Sequence, residues 1–245
     1  KKYSSSVNSK LKFLLKENNE ILNSLKSNYK YSYSIKFINR YKKKFSILRV
    51  IGIGGSILGT KAIFNFLKKK IKKKVIFFDN LLSNFKTDND KKILNIIVSK
   101  SGNTLETISN VNNLINQNQK NIFITENNTS YLRILANKIK AEIVDHNNYI
   151  GGRYSVLSEV GMLPASLVGL NEKKFKQFNN LIKKKNFIDS LVQNVNNILF
   201  FVKKKKYNSI IINYDEDAED LFKWYQQLVG ESLGKKQKGI FPLIS

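Results

Sequence analysis

Four short motifs hold the residues of this chain that could do chemistry. They are Ile-Gly-Ile-Gly-Gly-Ser at 51–56, Ser-Lys-Ser-Gly-Asn-Thr-Leu-Glu-Thr at 99–107, Gly-Gly-Arg-Tyr-Ser at 151–155 and Trp-Tyr-Gln-Gln-Leu-Val-Gly-Glu-Ser-Leu-Gly-Lys at 224–235. Two of these motifs are suited to holding a phosphate, the third supplies a fixed cation, and the fourth supplies a carboxylate. Together they predict proton transfer on a phosphorylated substrate.

The motif at 99–107 predicts an anion site. It follows a buried strand and runs into a helix that Ser101, Asn103 or Thr104 would cap, so hydroxyls, backbone N–H groups and the helix dipole converge there. An ordinary N-cap needs one hydroxyl, whereas this motif offers several. The hydroxyls are those of Ser99, Ser101, Thr104 and Thr107.

The glycines at 52, 54 and 55 form a tight turn between a strand and a helix, where a ligand can approach the backbone. Their spacing does not complete a dinucleotide-binding G-x-G-x-x-G pattern, because Ile57 stands at its last position. A dinucleotide alternative stays open, since Asp79 follows the next strand and could bind a ribose. A plain tight turn would leave Ser56 without a role.

Arg153 is one of only four arginines in a chain rich in lysine, so the planar and permanently charged guanidinium is expected to matter. Stabilising a developing oxyanion is its natural use. Gln227 and Glu231 lie four residues apart on a predicted helix over 218–231 and therefore share a face, with Gly234 as its stop. A carboxylate there suits a general base, although the motif alone equally allows a solvated glutamate.

The elements that must position these motifs alternate between strand and helix. Strands are predicted at 48–53, 75–78, 93–98, 121–125 and 142–145, with helices beginning near residues 56, 104 and 129. Continuous apolar strands separated by helices predict an α/β fold, a doubly wound parallel five-stranded sheet with helices on both faces.

The flanking regions are predicted from the same patterns. Residues 1–45 are predicted to form a helical N-terminal segment. Residues 46–170 are predicted to form the sheet domain, which ends with a helix from 156 to 170. Residues 171–245 are predicted to form connecting helices and then an incomplete second domain. In the last region, helices are predicted near 172–184 and 188–204, and a strand at 209–214 precedes the helix at 218–231. A single strand and helix cannot bury a sheet, so we expect the second domain to continue.

The composition of the chain restricts which binding partners are expected. The chain has 245 residues, a formal net charge of +25 and no cysteine. Lysine supplies nearly all of the positive charge, whereas nucleic-acid recognition favours arginine, so we expect solvated surfaces and no nucleic-acid partner. No apolar run reaches the roughly 18 residues of a membrane span, and no secretory signal is visible. The lack of cysteine fits a cytoplasmic location.

With its motifs in this order, the chain from about Leu48 onward resembles the glucose-6-phosphate isomerase family, whose members have two sugar-isomerase (SIS) domains. The resemblance implies interconversion of aldose and ketose phosphates through a cis-enediolate, with no metal and no organic cofactor, in a homodimer. It makes Glu231 the base and Arg153 the stabiliser of the enediolate. Ser99, Ser101 and Thr104 would hold the phosphate, supported by Lys100 and Thr107, and Gly55, Ser56, Gly152 and Gln227 would line the sugar.

The chain departs from the family at three points. Gly230 stands where relatives usually carry a small or larger apolar residue, which predicts a looser turn holding Glu231. Relatives continue beyond this chain's last residue, where they supply a ring-opening His from the partner subunit and a Lys on a C-terminal helix. His146, the only histidine, lies elsewhere, and we expect no catalytic role for it.

The resemblance therefore predicts the N-terminal portion of an isomerase that binds sugar phosphate better than it isomerises it. The alternatives are a related phosphosugar isomerase, such as one that also accepts mannose phosphate, and an SIS regulator that senses a sugar phosphate. A basic nucleic-acid binder ranks below both.

Overall fold

The computed structural model describes residues 4–81, 92–116, 118–234 and 239–245. Its centre is a five-stranded parallel sheet with the strand order β2-β1-β3-β4-β5. The strands are β1 (Ile47–Ile51), β2 (Lys74–Phe78), β3 (Ile93–Val98), β4 (Lys120–Thr125) and β5 (Glu142–Asp145). Each lies within two residues of the predicted strand, so the predicted sheet is confirmed.

Helices cover both faces of this sheet. The helices are α1 (Ser4–Lys16), α2 (Glu20–Ser24), α3 (Ile35–Lys42), α4 (Leu58–Phe66), α5 (Leu105–Leu114), α6 (Tyr131–Lys138), α7 (Glu159–Leu167), α8 (Phe178–Leu181), α9 (Lys185–Lys203) and α10 (Glu219–Leu233). Side chains of α3, α4 and α7 pack on one face, and those of α5 and α6 pack on the other. All six residues of β3 are buried, as expected for a central strand that is covered on both sides. The doubly wound α/β fold is confirmed.

The strand order creates a switch point between β1 and β3. The chain leaves β1 towards β2 on one side and leaves β3 towards β4 on the other, while Ile51 and Ile97 are paired in register. The segments that follow these two strands therefore separate at the carboxyl edge of the sheet. Open α/β sheets bind their ligands in the crevice formed at such a point.

The N-terminal segment is helical, as predicted. Ser34 caps α3 by accepting a hydrogen bond from the backbone N–H of Phe37 at 3.2 Å. Ile38 and Tyr41 on this helix are buried in the core that α7 also lines. The segment is thus joined to the sheet domain through α3.

Two predictions about the chain beyond β5 were wrong in detail, and one strand pairing was not predicted. The predicted helix from 156 to 170 is a 3₁₀ segment, Gly152–Leu157, followed by the shorter α7. The stretch 172–184 contains a 3₁₀ turn, Glu172–Phe175, and the one-turn α8. The C-terminal strand β6 (Asn208–Ile211) has a partner that the sequence did not predict.

That partner is β7 (Phe241–Ile244), which pairs with β6 in parallel after α10 crosses between them. Pro242 within it lowered its apparent strand propensity, yet a two-stranded sheet has only edge strands, where proline is tolerated. Among the residues that the structure describes, no helix is long and apolar enough to cross a membrane.

Candidate active site

The loop after β3 folds its hydroxyls around its own backbone. Ser99, which is buried, lies 2.9 Å from the Thr104 hydroxyl and accepts a hydrogen bond from the N–H of Gly102 at 3.2 Å. Ser101 accepts from the N–H of Asn103, also at 3.2 Å. Gly102 has φ +67°, a conformation that glycine adopts readily, and this reverses the chain.

Thr104 is the N-cap residue of α5, as the sequence allowed, but its hydroxyl contacts Ser99 instead of the first helical turn. The N-terminal N–H groups of α5 therefore have no side-chain cap from this residue. Exposed N–H groups at the positive end of a helix favour an anion.

Two further hydroxyls belong to elements that adjoin this loop. Thr107 lies in the first turn of α5, and Ser130 is the N-cap residue of α6. Both are buried, and neither hydroxyl has a hydrogen-bond partner among the described residues. A buried hydroxyl without a partner is unfavourable, so such atoms mark places where a ligand or water would complete the structure. A Cβ atom at Gly102 would lie against the Ser130 side chain, which shows how closely the loop rests on it.

Lys100 points away from its neighbours in the loop. Its ammonium group lies 3.3 Å from a carboxylate oxygen of Glu126 and donates to the carbonyl oxygen of Asn148 at 2.9 Å. The predicted supporting role of this side chain would therefore need it to leave these partners. Its backbone carbonyl instead fixes the loop by accepting from Glu126 N at 3.0 Å.

The turn after β1 packs directly on the Gly-Gly-Arg motif. A Cβ atom at Gly55 would lie 2.5 Å from the backbone nitrogen of Arg153 and 2.6 Å from the carbonyl carbon of Gly152. Only glycine permits this approach. Ser56 ends the same 3₁₀ turn and is partly exposed beside Gly152.

Arg153 is held at three points by α10. Its Nη1 donates to Glu231 Oε2 at 3.1 Å, and its Nε donates to Ser232 Oγ at 2.9 Å. Its backbone carbonyl accepts a hydrogen bond from the indole N–H of Trp224 at 3.0 Å. The guanidinium group thus faces the carboxylate that the sequence singled out as the base.

Gln227 and Glu231 do share one face of α10, as their spacing predicted. Gln227 Nε2 donates to Glu231 Oε1 at 2.8 Å, and Gln227 Oε1 is buried without a hydrogen-bond partner among the described residues. The helix continues to Leu233, and Gly234 caps it with φ −73°, so the expected glycine stop occurs without a left-handed residue. Lys235, the last residue of the fourth motif, lies outside the described residues.

The two groups of residues meet at the switch point. Gly52, the first residue after β1, is so close to β3 that a Cβ atom there would lie 2.9 Å from the Val98 carbonyl oxygen, one residue before Ser99. The turn after β1 therefore lies next to both groups, because Gly52 approaches the end of β3 and Gly55 approaches Arg153. This arrangement suits a phosphorylated substrate with an acidic C–H bond.

Two other candidates have different partners. Asp79, the residue on which the dinucleotide alternative depends, lies 2.7 Å from the ammonium group of Lys61. His146 is buried, and its Nδ1 lies 2.8 Å from the carbonyl oxygen of Asn147. Burial lowers the pKa of His146, so the imidazole is neutral at physiological pH.

Sequence reasoning missed three residues around Arg153. Trp224 and Ser232 hold it, and Tyr154 places its ring 4.8 Å from the guanidinium carbon. A weak signal existed, because serine is a modest helix former and Ser232 directly follows Glu231 inside a helix.

The fold defines a class, the doubly wound α/β proteins with a five-stranded parallel sheet, to which two solved structures also belong. A hypothetical protein from Thermus thermophilus superposes with a TM-score of 0.78 at 21% identity, covering 99% of this chain and 64% of that protein. Tagatose-6-phosphate ketose/aldose isomerase from Escherichia coli superposes with a TM-score of 0.59 at 15% identity, covering 91% of this chain and 65% of that protein. At these identities the likeness establishes the fold alone.

The chain belongs to the phosphoglucose isomerase family, whose model matches residues 4–239. A glucose-6-phosphate isomerase from Mycoplasmopsis pulmonis is 33% identical, over 85% of this chain and 55% of that enzyme. The chain spans about half the length of the curated relatives it matches. The family resemblance seen in the motifs is therefore confirmed.

Proposed function

We propose that this chain carries the sugar-phosphate site of a glucose-6-phosphate isomerase, with Glu231 as the base and Arg153 as the electrostatic stabiliser. The observation that carries this proposal is the 3.1 Å contact between Arg153 and Glu231, on a loop that packs against the turn after β1. The hydroxyl-rich loop at 99–104 follows the neighbouring strand β3. Family membership supports the choice of glucose 6-phosphate and fructose 6-phosphate.

The site supports the following sequence of proton transfers. The phosphate binds the hydroxyls of Ser99, Ser101 and Thr104 and the N-terminus of α5, and the sugar extends past Gly55, Ser56 and Gly152 towards α10. Glu231 removes the proton from carbon 2 of the open-chain aldose, and the electron pair of that C–H bond gives an enediolate. Arg153 stabilises the negative oxygen. Glu231 returns the proton to carbon 1 while the proton on the carbon 2 oxygen moves to the carbon 1 oxygen, giving the ketose.

Gln227 would orient the base during this cycle. Its amide N–H is bonded to Glu231 Oε1, which leaves the other oxygen, Oε2, turned towards Arg153. Gln227 Oε1, which is buried and has no hydrogen-bond partner in the described part of the chain, would accept a hydrogen bond from a sugar hydroxyl.

The domain assignment is part of the same proposal. Residues 46–170 form the first SIS domain, and β6, α10 and β7 are the first βαβ unit of a second one, which would be completed by chain that the relatives possess. Ring opening, a homodimer and a cytoplasmic location belong to the whole enzyme and stay predictions.

Deuterium exchange tests the proposal on the 245-residue chain itself. Erythrose 4-phosphate cannot close a ring, because the oxygen that would attack its aldehyde carries the phosphate, so no ring-opening acid is needed. We expect the chain to catalyse incorporation of deuterium from D₂O at carbon 2 of this sugar, and NMR measures the rate of incorporation. Glu231→Gln should remove this exchange, because an amide cannot take the proton.

The matched control is Glu219→Gln, which removes an exposed carboxylate from the other end of the same helix and should exchange like the wild type. Exchange that persists at the wild-type rate in Glu231→Gln would show that another group is the base. A wild-type chain that binds the phosphate but exchanges no deuterium would favour the sensing regulator instead.

A further inference from the structure

Ser232, which has no role in the proposed mechanism so far, lies between Arg153 and Tyr154. Its hydroxyl lies 2.9 Å from Arg153 Nε and 2.6 Å from the hydroxyl of Tyr154. The ring of Tyr154 in turn lies under the guanidinium, 4.8 Å from its central carbon. The side chain of Arg153 is therefore bounded by an oxygen on one edge and by an aromatic ring on one face.

The donor and the acceptor of the hydrogen bond between Arg153 and Ser232 follow from the chemistry of the two groups. Arg Nε can only donate, so Ser232 Oγ accepts from it. The serine hydroxyl can still either donate its proton to Tyr154 or accept one from it. A guanidinium that is bonded at Nε and packed on a ring cannot rotate about its last bonds without losing both contacts.

The position of Ser232 in the chain adds a second constraint. It is the residue after Glu231 on α10, so a single peptide unit links the base to the group that holds the cation. Trp224, two turns earlier on the same helix, binds the backbone carbonyl of Arg153. The separation of Arg153 from Glu231 is thus set by α10, even though Arg153 comes from the Gly-Gly-Arg loop.

We propose that Ser232 is a positioning residue that locks the guanidinium of Arg153 through Nε, so that its Nη groups face Glu231 and the enediolate. Tyr154 supports this lock from the face of the guanidinium. The inference rests on the proposed function, because it concerns how the charge of Arg153 reaches the reacting atoms. Ser232 itself touches no reacting atom.

The first test observes Arg153 directly. The chain has four arginines, so its Arg Nε–H region contains few signals, and Arg153→Lys identifies the one from Arg153. In Ser232→Ala the exchange of this N–H with water should speed up by about three- to tenfold, the range expected for one lost hydrogen bond. Ser232→Thr, which keeps the hydroxyl, should restore slow exchange. Ser27→Ala, at an exposed hydroxyl, is the control.

The second test uses two probes that differ in one group. Inorganic phosphate fills only the anion site, whereas 4-phosphoerythronate adds a carboxylate in place of the enediolate. We expect Ser232→Ala to lose about three- to tenfold in affinity for 4-phosphoerythronate and nothing for phosphate. A merely structural role would weaken both probes alike or lower the thermal midpoint without changing their ratio.

The outcomes separate the two proposals. In the first outcome, the wild-type chain prefers 4-phosphoerythronate over phosphate, and Ser232→Ala keeps both this preference and the wild-type rate of Nε–H exchange. The positioning role of Ser232 is then wrong, and the proposed function stands. If the wild-type chain shows no such preference, the proposed function is wrong, and this inference with it. If Ser232→Ala does not fold, Ser232→Cys replaces it in both tests. Cysteine is close to serine in shape, but its sulfur is a poor hydrogen-bond acceptor.

Discussion

The guanidinium of Arg153 lies 3.1 Å from the carboxylate of Glu231, although 78 residues separate them in the chain. The Glu231 side chain is 49% exposed and that of Arg153 is 23% exposed. A pair this accessible contributes little to stability, because water screens both charges. The contact is therefore better understood as a feature of the site than as a support of the fold.

This relationship predicts that Arg153→Lys separates function from stability. Lysine keeps the positive charge but lacks the planar fork, so its single ammonium group does not reproduce the separate Nε bond to Ser232 and Nη1 bond to Glu231. We expect deuterium exchange into erythrose 4-phosphate to fall by roughly a hundredfold, as for loss of one oxyanion donor. The free energy of unfolding in urea should change by less than about 1 kcal/mol.

Arg40→Lys is the matched control. Arg40 also faces a glutamate, Glu142 at 2.7 Å, on the surface of the sheet domain. Its substitution should leave both exchange and stability near the wild-type values. Equal loss of exchange in the two variants would show that the effect is not specific to the fork of Arg153.

The sheet was predictable because its signals are local. Strands such as β3 are continuous apolar runs, and α5 after it begins next to Thr104, so the sequence signals for the strand and for the start of the helix agree. The site residues were predictable for a different reason. Glycines, an isolated arginine and an i, i+4 pair are unusual in a lysine-rich chain, so each stood out before any contact was known.

The contacts between the motifs were not predictable from local patterns. Nothing around Ser232 indicates that it meets Arg153, because that contact depends on how α10 packs against α4 and the Gly-Gly-Arg loop. The strand β7 was missed since it is short and contains Pro242, and only its pairing with β6 stabilises it. Such features depend on tertiary packing, which overrides intrinsic propensity.

The contact between Gly55 and Gly152 is asymmetric and gives a paired prediction. Alanine at Gly55 would force its Cβ against the backbone of residues 152 and 153, whereas a Cβ at Gly152 meets Gly55 at an ordinary 3.5 Å. Gly55→Ala should lower the free energy of unfolding by about 1–3 kcal/mol, as overpacking does. Gly152→Ala should change it by less than about 0.5 kcal/mol. Urea unfolding of both variants measures this, and equal effects would contradict the asymmetry of the backbone approach.

Gly230 offers a substitution in the opposite direction. It lies inside α10, one residue before Glu231, and a Cβ atom there would meet nothing within 4 Å. Gly230→Ala should stabilise the chain by about 0.5–1 kcal/mol, because alanine loses less backbone entropy in a helix. Thermal unfolding followed by circular dichroism measures this gain. A fall in the midpoint would mean that the looser turn expected from the sequence is needed for α10 to pack.

Thr107 predicts a conflict between stability and binding. Its buried hydroxyl has no hydrogen-bond partner among the described residues, so Thr107→Val should stabilise the free chain by roughly 1 kcal/mol. If the hydroxyl binds phosphate, the same change should weaken phosphate affinity by about five- to tenfold. Calorimetric titration with inorganic phosphate and urea unfolding together measure the two effects.

The control for this pair is Thr60→Val. Thr60 is also buried, but its hydroxyl donates to the carbonyl oxygen of Val160 at 3.3 Å. Its removal should therefore destabilise the chain by about 1 kcal/mol and leave phosphate binding unchanged. A Thr107→Val variant that loses stability, like this control, would show that Thr107 has a partner within the protein.

A buried lysine outside the site predicts how stability depends on pH. The ammonium group of Lys176 donates to the carbonyl oxygens of Ser24 and Leu157 and lies 4.7 Å from the ring centre of Tyr29. Burial lowers the pKa of Lys176 to about 8, although the carboxylates of Glu159 and Glu172 act in the opposite direction.

The sign of the effect follows from proton counting. Above about pH 8 the folded chain releases the Lys176 proton, whereas the unfolded chain keeps it up to the ordinary pKa of 10.5. The unfolded state therefore binds more protons between about pH 8 and 10, and stability rises with pH in this window. Burial raises the pKa of Tyr29 and Tyr31, whose ionisation in the unfolded chain reverses the trend above about pH 10.

Lys176→Met should remove this rise. Between about pH 8 and 10 the wild type should gain about 2 kcal/mol more unfolding free energy than the variant, since one pH unit corresponds to about 1.4 kcal/mol for one proton. Urea unfolding at pH 7, 8, 9 and 10 measures the difference. The exposed neighbour Lys174, changed to Met, should follow the wild-type curve. Parallel curves for the wild type and Lys176→Met would mean that Lys176 keeps its proton when the chain folds.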